Sequence, residues 1–269
     1  MKKEFYSLPR IIPVILILIL AGCAVTGPGG KTSLIFIGTE QEVSIGNEMD
    51  ASIRAENRFL NDPLWQEYVD NIGRKIVNVC DRKDLTYHFA VIDSNMVNAF
   101  ATPGGNIFLY TGLLKQMDSE AELAAVMSHE ISHVVARHGI KRLQAAMGVS
   151  ILEQLVFGND PGALKVAVDV GLGLTFASYS RENENEADNF GIQYMTKAGY
   201  DPKGAITMFE KLASMSQGDP NFFEKLSMSH PETQERISNS KALIESLKPL
   251  PANLSTFSQK YRMMRSRLR

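Results

Sequence analysis

Two histidines four positions apart bracket the segment His129-Glu130-Ile131-Ser132-His133. On a helix, a spacing of four turns the two imidazoles only about 40° apart, one turn from each other on one face. Imidazoles so placed can close on one Zn²⁺ at about 2.0–2.1 Å. Glu130 lies about 100° from His129 and about 60° from His133, beside such an ion and not on it. A carboxylate there can take a proton from a water activated at the metal. Chance also produces this pattern, so its context decides what it means.

A catalytic zinc needs a third protein ligand and one open position. The stretch Arg181-Glu182-Asn183-Glu184-Asn185-Glu186-Ala187-Asp188 offers three glutamates. Glu184 and Asp188 are four apart and share a helix face, and Glu186 points away from both. That pairing favours Glu184 as ligand. Asp188 is then the carboxylate that holds a ligand imidazole, His129, in the right tautomer. The alternative is a solvated acidic face. Of the remaining histidines, His138 is five past His133 and turned off its face, so it reads as structural or surface. His88 reads as structural, in a strand. His230 precedes a helix, in Ser227-Met228-Ser229-His230-Pro231, where a loop can reach over a site. It could stabilise an oxyanion or occupy the open metal position as a resting-state latch.

These residues need elements to hold them. Ser119 and Glu122 form a capping box ahead of the histidine helix, and Gly139 closes it. Leu123, Met127, Ile131 and Val134 give that helix apolar support. Further helices are expected over Thr39–Glu56, where Thr39 and Glu42 form another capping box, and from Pro63 towards Cys80. Others are expected over Ile140–Phe157, Ala163–Phe176, Arg181–Ala198, Pro202–Met215 and Pro231–Leu247. Thr86–Ile92, Val97–Ala101 and Asn106–Tyr110 read as strands, the last two joined by Pro103-Gly104-Gly105. Asn106–Tyr110 is expected at the sheet edge beside the cleft, where an extended peptide could add. The order defines an α+β domain, mainly helical with a small antiparallel sheet.

The N-terminus is a separate matter. Lys2, Lys3 and Arg10 precede an apolar run, Ile11–Leu20, too short to span a bilayer and interrupted by Pro13. It reads as a bacterial export signal over residues 1–22. Leu20-Ala21-Gly22-Cys23 resembles a lipobox, which implies a lipid on Cys23. Ala24 in place of aspartate resembles the pattern sorted to the outer membrane, facing the periplasm. Residues 23–38 then form a tether, 39–248 the domain, and 249–269 a basic tail expected to be solvated. Removing residues 1–22 moves the net charge from −2 to −4, which gives no argument for nucleic acid as a partner. Cys80 follows an apolar stretch and reads as a core residue.

Taken together, His129-Glu130-x-x-His133 and Ser180-Arg181-x-x-Glu184-x-Glu186-Ala187-Asp188-x-x-Gly191 resemble the HtpX and CAAX-prenyl-protease group of zinc metallopeptidases, the Peptidase_M48 type. Asn98–Gly105 through Thr111–Leu114 is similar to the segment ahead of the family's active helix. His230-Pro231 with Arg236-Ile237 resembles a later family motif. The match covers roughly Thr39 to Leu247. Within the bacterial lipoprotein branch, the LoiP and BepA type, the LoiP-like members are the nearer comparison, since HtpX-like spanning helices and room for a BepA-like helical-repeat domain are both lacking. The resemblance implies a gluzincin fold and one zinc per chain on His129, His133 and Glu184, with Glu130 as general base. It also implies endopeptidase activity on unfolded or misassembled envelope proteins. A competing expectation is a chaperone-like assembly factor with a latent or structural zinc site.

Overall fold

The computed structural model describes residues 23–25, 32–158, 160–216, 230 and 234–268. The expected export signal, Asn159, Ser227–Ser229 and Pro231 lie outside the described residues. Strands β1 (Cys23–Val25) and β2 (Thr32–Leu34) pair antiparallel, with Cys23 opposite Leu34. The chain enters the body immediately afterwards. Ile35 and Ile37, within the segment expected as tether, are buried in an apolar cluster with Ile45, Met49, Ile140 and Leu143.

Helix α1 (Thr39–Glu56) is capped by Gly38, not Thr39. The expected capping box fails because Glu42 is committed elsewhere. Its buried carboxylate accepts from both Arg82 terminal nitrogens, at 3.0 and 2.9 Å, and pairs with Arg137 Nε at 2.9 Å. Helix α2 (Pro63–Val77) starts at Asp62, whose side chain accepts from the Leu64 amide, with proline in the first turn. Its apolar stripe, Trp65, Val69, Ile72 and Ile76, is fully buried and packs in the main core with Cys80.

The sheet is small, as expected, but mixed. β3 (His88–Ile92) runs parallel to β5 (Asn106–Tyr110), and β4 (Ala99–Thr102) runs antiparallel to it. The spatial order β3-β5-β4 corrects the expectation that Asn106–Tyr110 is the edge. Every residue of β5 is buried, and its unbroken apolar run Ile107-Phe108-Leu109 suits a strand covered on both faces. The edge beside the histidine helix is β4. Its turn into β5 needs Gly104 at φ 81° and Gly105 at φ 98°, a backbone open to glycine at no steric cost. Gly46 of α1 presses on that turn: a Cβ there would lie 2.0 Å from the Pro103 oxygen.

After α3 (Thr111–Gln116), the chain is helical: α4 (Glu120–Val135), α5 (His138–Ala146), α6 (Val149–Phe157), α7 (Pro161–Leu174), α8 (Arg181–Lys197), α9 (Lys203–Ser216), α10 (Gln234–Ser246) and α11 (Ser258–Arg265). The span expected as one helix from Ile140 to Phe157 breaks at Met147-Gly148. No described helix is long and apolar enough to cross a membrane. The basic C-terminal segment differs from its expected solvated state. Tyr261 of α11 is fully buried, packs edge-on against Trp65, and donates its hydroxyl to the Leu114 carbonyl at 2.7 Å. Arg265 pairs with Asp118 at 2.7 Å and Arg267 with Asp62 at 2.8 Å.

Candidate metal centre

Helix α4 carries the histidine pair through the middle of the protein. Ser119 caps it, accepting from the Glu122 amide at 3.2 Å. Glu122 reaches back one residue further than a capping box, to the Asp118 amide at 2.7 Å. Its expected apolar supports are buried, as are His129, Glu130 and His133. Against it lies α8, begun by Ser180, which accepts from the Asn183 amide. The two helices meet at Gly191, where a Cβ would stand 3.1 Å from the His129 nitrogen.

This crossing brings the distant segments together. The Nε2 atoms of His129 and His133 are 3.0 Å apart. Glu184 Oε1 lies 3.5 Å from His133 Nε2, and Glu184 Oε2 lies 3.5 Å from His129 Nε2. His230 adds a fourth donor, its Nδ1 being 3.2 Å from His129 Nε2 and 2.9 Å from Glu184 Oε1. One ligand atom from each of the four lies within 4.8 Å of all the others. Donors sharing a tetrahedral zinc stand about 3.3 Å apart when the bonds are about 2.0–2.1 Å. The set therefore fits zinc in both chemistry and spacing.

Asp188 Oδ1 lies 2.9 Å from His129 Nδ1. Arg236 donates to the same carboxylate through Nε and Nη2, each at 2.7 Å, and its Nη1 pairs with Glu184 Oε2 at 3.0 Å. Burial works against ionising these acids, yet their partners prevail. Contacts from His230, His129 and His133 hold the Glu184 carboxyl well below the usual carboxylate range. Arg236 lowers Asp188 similarly. Burial also opposes charge on His129, but Asp188 and Glu184 outweigh it and push this imidazole up to about 10. Burial keeps His133 well below its ordinary value.

Glu130 stands beside this cluster, its Oε1 being 3.5 Å from His230 Nε2. It opens on a cleft lined by Asn98 and Ala99 at β4, Val126 of α4, and Met208 and Phe209 of α9. Tyr179 stacks on His133, ring centroids 4.1 Å apart, with the Arg142 guanidinium 4.1 Å from its ring centroid. His88 is exposed at the start of β3 and lies outside the cluster. His138 belongs to the surroundings of the site: its Nδ1 is 2.9 Å from His133 Nδ1, and its Nε2 is 3.0 Å from Glu186. The helical extrapolation misses this because α4 ends at Val135. Arg137 adopts φ 55° and starts a new helix at His138, folding that ring back.

Fold and centre together define a class, a mainly helical α+β domain built around a histidine pair and a carboxylate that could hold a metal ion. The family model for peptidase family M48 matches residues 63–244, and the chain belongs to that family of metallopeptidases. The beta-barrel assembly-enhancing protease of Escherichia coli K12 is 30% identical over 221 residues, 78% of this chain and 45% of that protein. Its Yersinia pestis counterpart is 31% identical over 252 residues, 89% of this chain and 50% of that protein. The mitochondrial metalloendopeptidase OMA1 of Schizosaccharomyces pombe is 32% identical over 173 residues, 63% of this chain and 50% of that protein. The chain spans about half the length of these curated relatives.

Proposed function

We propose that the chain is a zinc-dependent endopeptidase of the bacterial cell envelope, acting on misfolded or unassembled envelope proteins. The observation that carries this reading is the convergence of two imidazoles and a buried carboxylate beside a second buried glutamate, Glu130. His129, His133 and Glu184 would hold one zinc, with Asp188 fixing His129. A zinc ion held there would supply Lewis acidity, enough to polarise a carbonyl and to let a water lose a proton near neutral pH. Glu130 takes that proton and returns it to the leaving amine. Edge strand β4 aligns an extended client by main-chain hydrogen bonds, which suits substrates recognised by lack of structure and not by sequence. The relatives named for barrel assembly support the envelope as the setting.

Metal analysis paired with cleavage of an unfolded client tests the activity. Glu130→Gln should keep its zinc while cleavage falls by about 10²–10⁴-fold. Unchanged cleavage by the zinc-loaded variant refutes the mechanism.

His230 supports a second reading, because it stands where substrate would approach. In that form the chain binds clients as a chaperone-like assembly factor with the site held shut. His230→Ala separates the roles: cleavage rises if His230 is a latch and falls if it steadies the oxyanion. The anchor on Cys23 is tested by labelling with a radioactive fatty acid, which the wild type should take up and Cys23→Ser should not; the outer-membrane location is tested by separating the two membranes of cells that make the wild type.

A further inference from the structure

Two histidines meeting nitrogen to nitrogen constrain each other's protons. His133 Nδ1 and His138 Nδ1 are 2.9 Å apart, so one carries a hydrogen and the other accepts it. The far nitrogen of His138 decides which. Its Nε2 lies 3.0 Å from Glu186 Oε2, and an ionised carboxylate only accepts. A histidine binds a metal as the neutral imidazole, so with Nε2 turned to the other donors His133 carries its hydrogen on Nδ1, facing His138. With the hydrogen of His138 on Nε2, the His138 Nδ1 is bare and accepts from His133 Nδ1–H. That leaves His133 Nε2 with its lone pair towards His129 and Glu184.

We propose that His138 and Glu186 are positioning residues that set the tautomer and ring orientation of His133 as a metal ligand, a two-step relay ending on a carboxylate. This rests on the reading of His133 as a ligand. The two imidazoles of the pair are thus served differently. His129 meets a carboxylate directly, whereas His133 is oriented by a neutral ring backed by an acid. Arg137 makes the arrangement through its left-handed turn, which aims His138 back at α4.

The relay is read by zinc affinity, measured by competition with a chelator, beside the melting temperature of the metal-free protein. His138→Leu removes the acceptor and should weaken zinc binding about 10–100-fold, the usual effect of losing such a partner. His138→Asn places a carboxamide oxygen where Nδ1 lies and should bind within a few-fold of wild type. Glu186→Gln still accepts from His138 and should behave as wild type, whereas Glu186→Ala should weaken binding several-fold. This Glu186 pair stands in if His138→Leu does not fold. Imidazole nitrogen shifts of the zinc-loaded wild type should show His138 protonated at Nε2 only. Wild-type affinity in His138→Leu, or in Glu186→Ala where that pair stands in, overturns the relay. So do a hydrogen on His138 Nδ1 and losses that merely track metal-free stability. A wild type that binds no zinc fails the earlier reading instead.

Discussion

Glu184 is 1% exposed, enclosed by His129, His133, His230 and the Arg236 guanidinium. Two buried carboxylates share that guanidinium, since Arg236 serves Asp188 as well. Removing one partner of such a network leaves uncompensated charge, at about 3–5 kcal/mol. Arg236→Leu should therefore destabilise the metal-free protein by about that amount in chemical denaturation, and zinc should recover only part of it. Arg236 is a position where sequence alone is weak. The arginine is visible six places after His230, but nothing in its spacing says that it reaches back to two acids on another helix. Glu184 and Asp188 are legible because both belong to one helix, where a spacing of four has one geometric meaning. His138 and Glu186 lie across a helix break and between two elements, where periodicity carries no information.

At the level of elements, α4 is legible from its cap and its apolar positions, but its end is not. A left-handed residue ordinarily signals itself as glycine. Here it is Arg137, held by its ion pair with Glu42 and by a bond to the Ile37 carbonyl. The parallel pairing of β3 with β5 is equally hidden, because local alternation cannot distinguish a neighbour in sequence from a neighbour in space. Gly46 tests how tightly these parts are joined. Alanine gains about 1 kcal/mol of helix propensity, but its methyl would meet the Pro103 backbone, which has no soft end to yield. Overpacking of about 1–3 kcal/mol should prevail. Gly46→Ala should lower the melting temperature; an increase would mean that α1 and the β4–β5 turn move apart freely.

The whole molecule is bound together by buried tyrosines. Burial, with Glu120 adding for Tyr68 and Tyr200, pushes Tyr68, Tyr194, Tyr200 and Tyr261 far above their ordinary value. A raised folded value favours the neutral phenol, so this stability is fully present below about pH 10 and is lost as pH rises further. Tyrosinate absorbance and helical circular dichroism should therefore change together in one alkaline transition. Ionisation ahead of unfolding would show that these phenols are reachable in the native state. Tyr261 also tests the C-terminal helix: Tyr261→Phe should cost about 0.5–1.5 kcal/mol for the bond to Leu114, and Tyr261→Ala about 3–5 kcal/mol, as for other large aromatics.

His129 and Asp188 meet across 59 positions of chain, and Glu184 and His230 across 46. A polypeptide that has delivered only its first 180 residues possesses both imidazoles but lacks Glu184, Asp188 and Arg236. The four-donor cluster therefore cannot assemble on any amino-terminal part of the chain, and it comes into being only when the last third of the polypeptide has joined the fold.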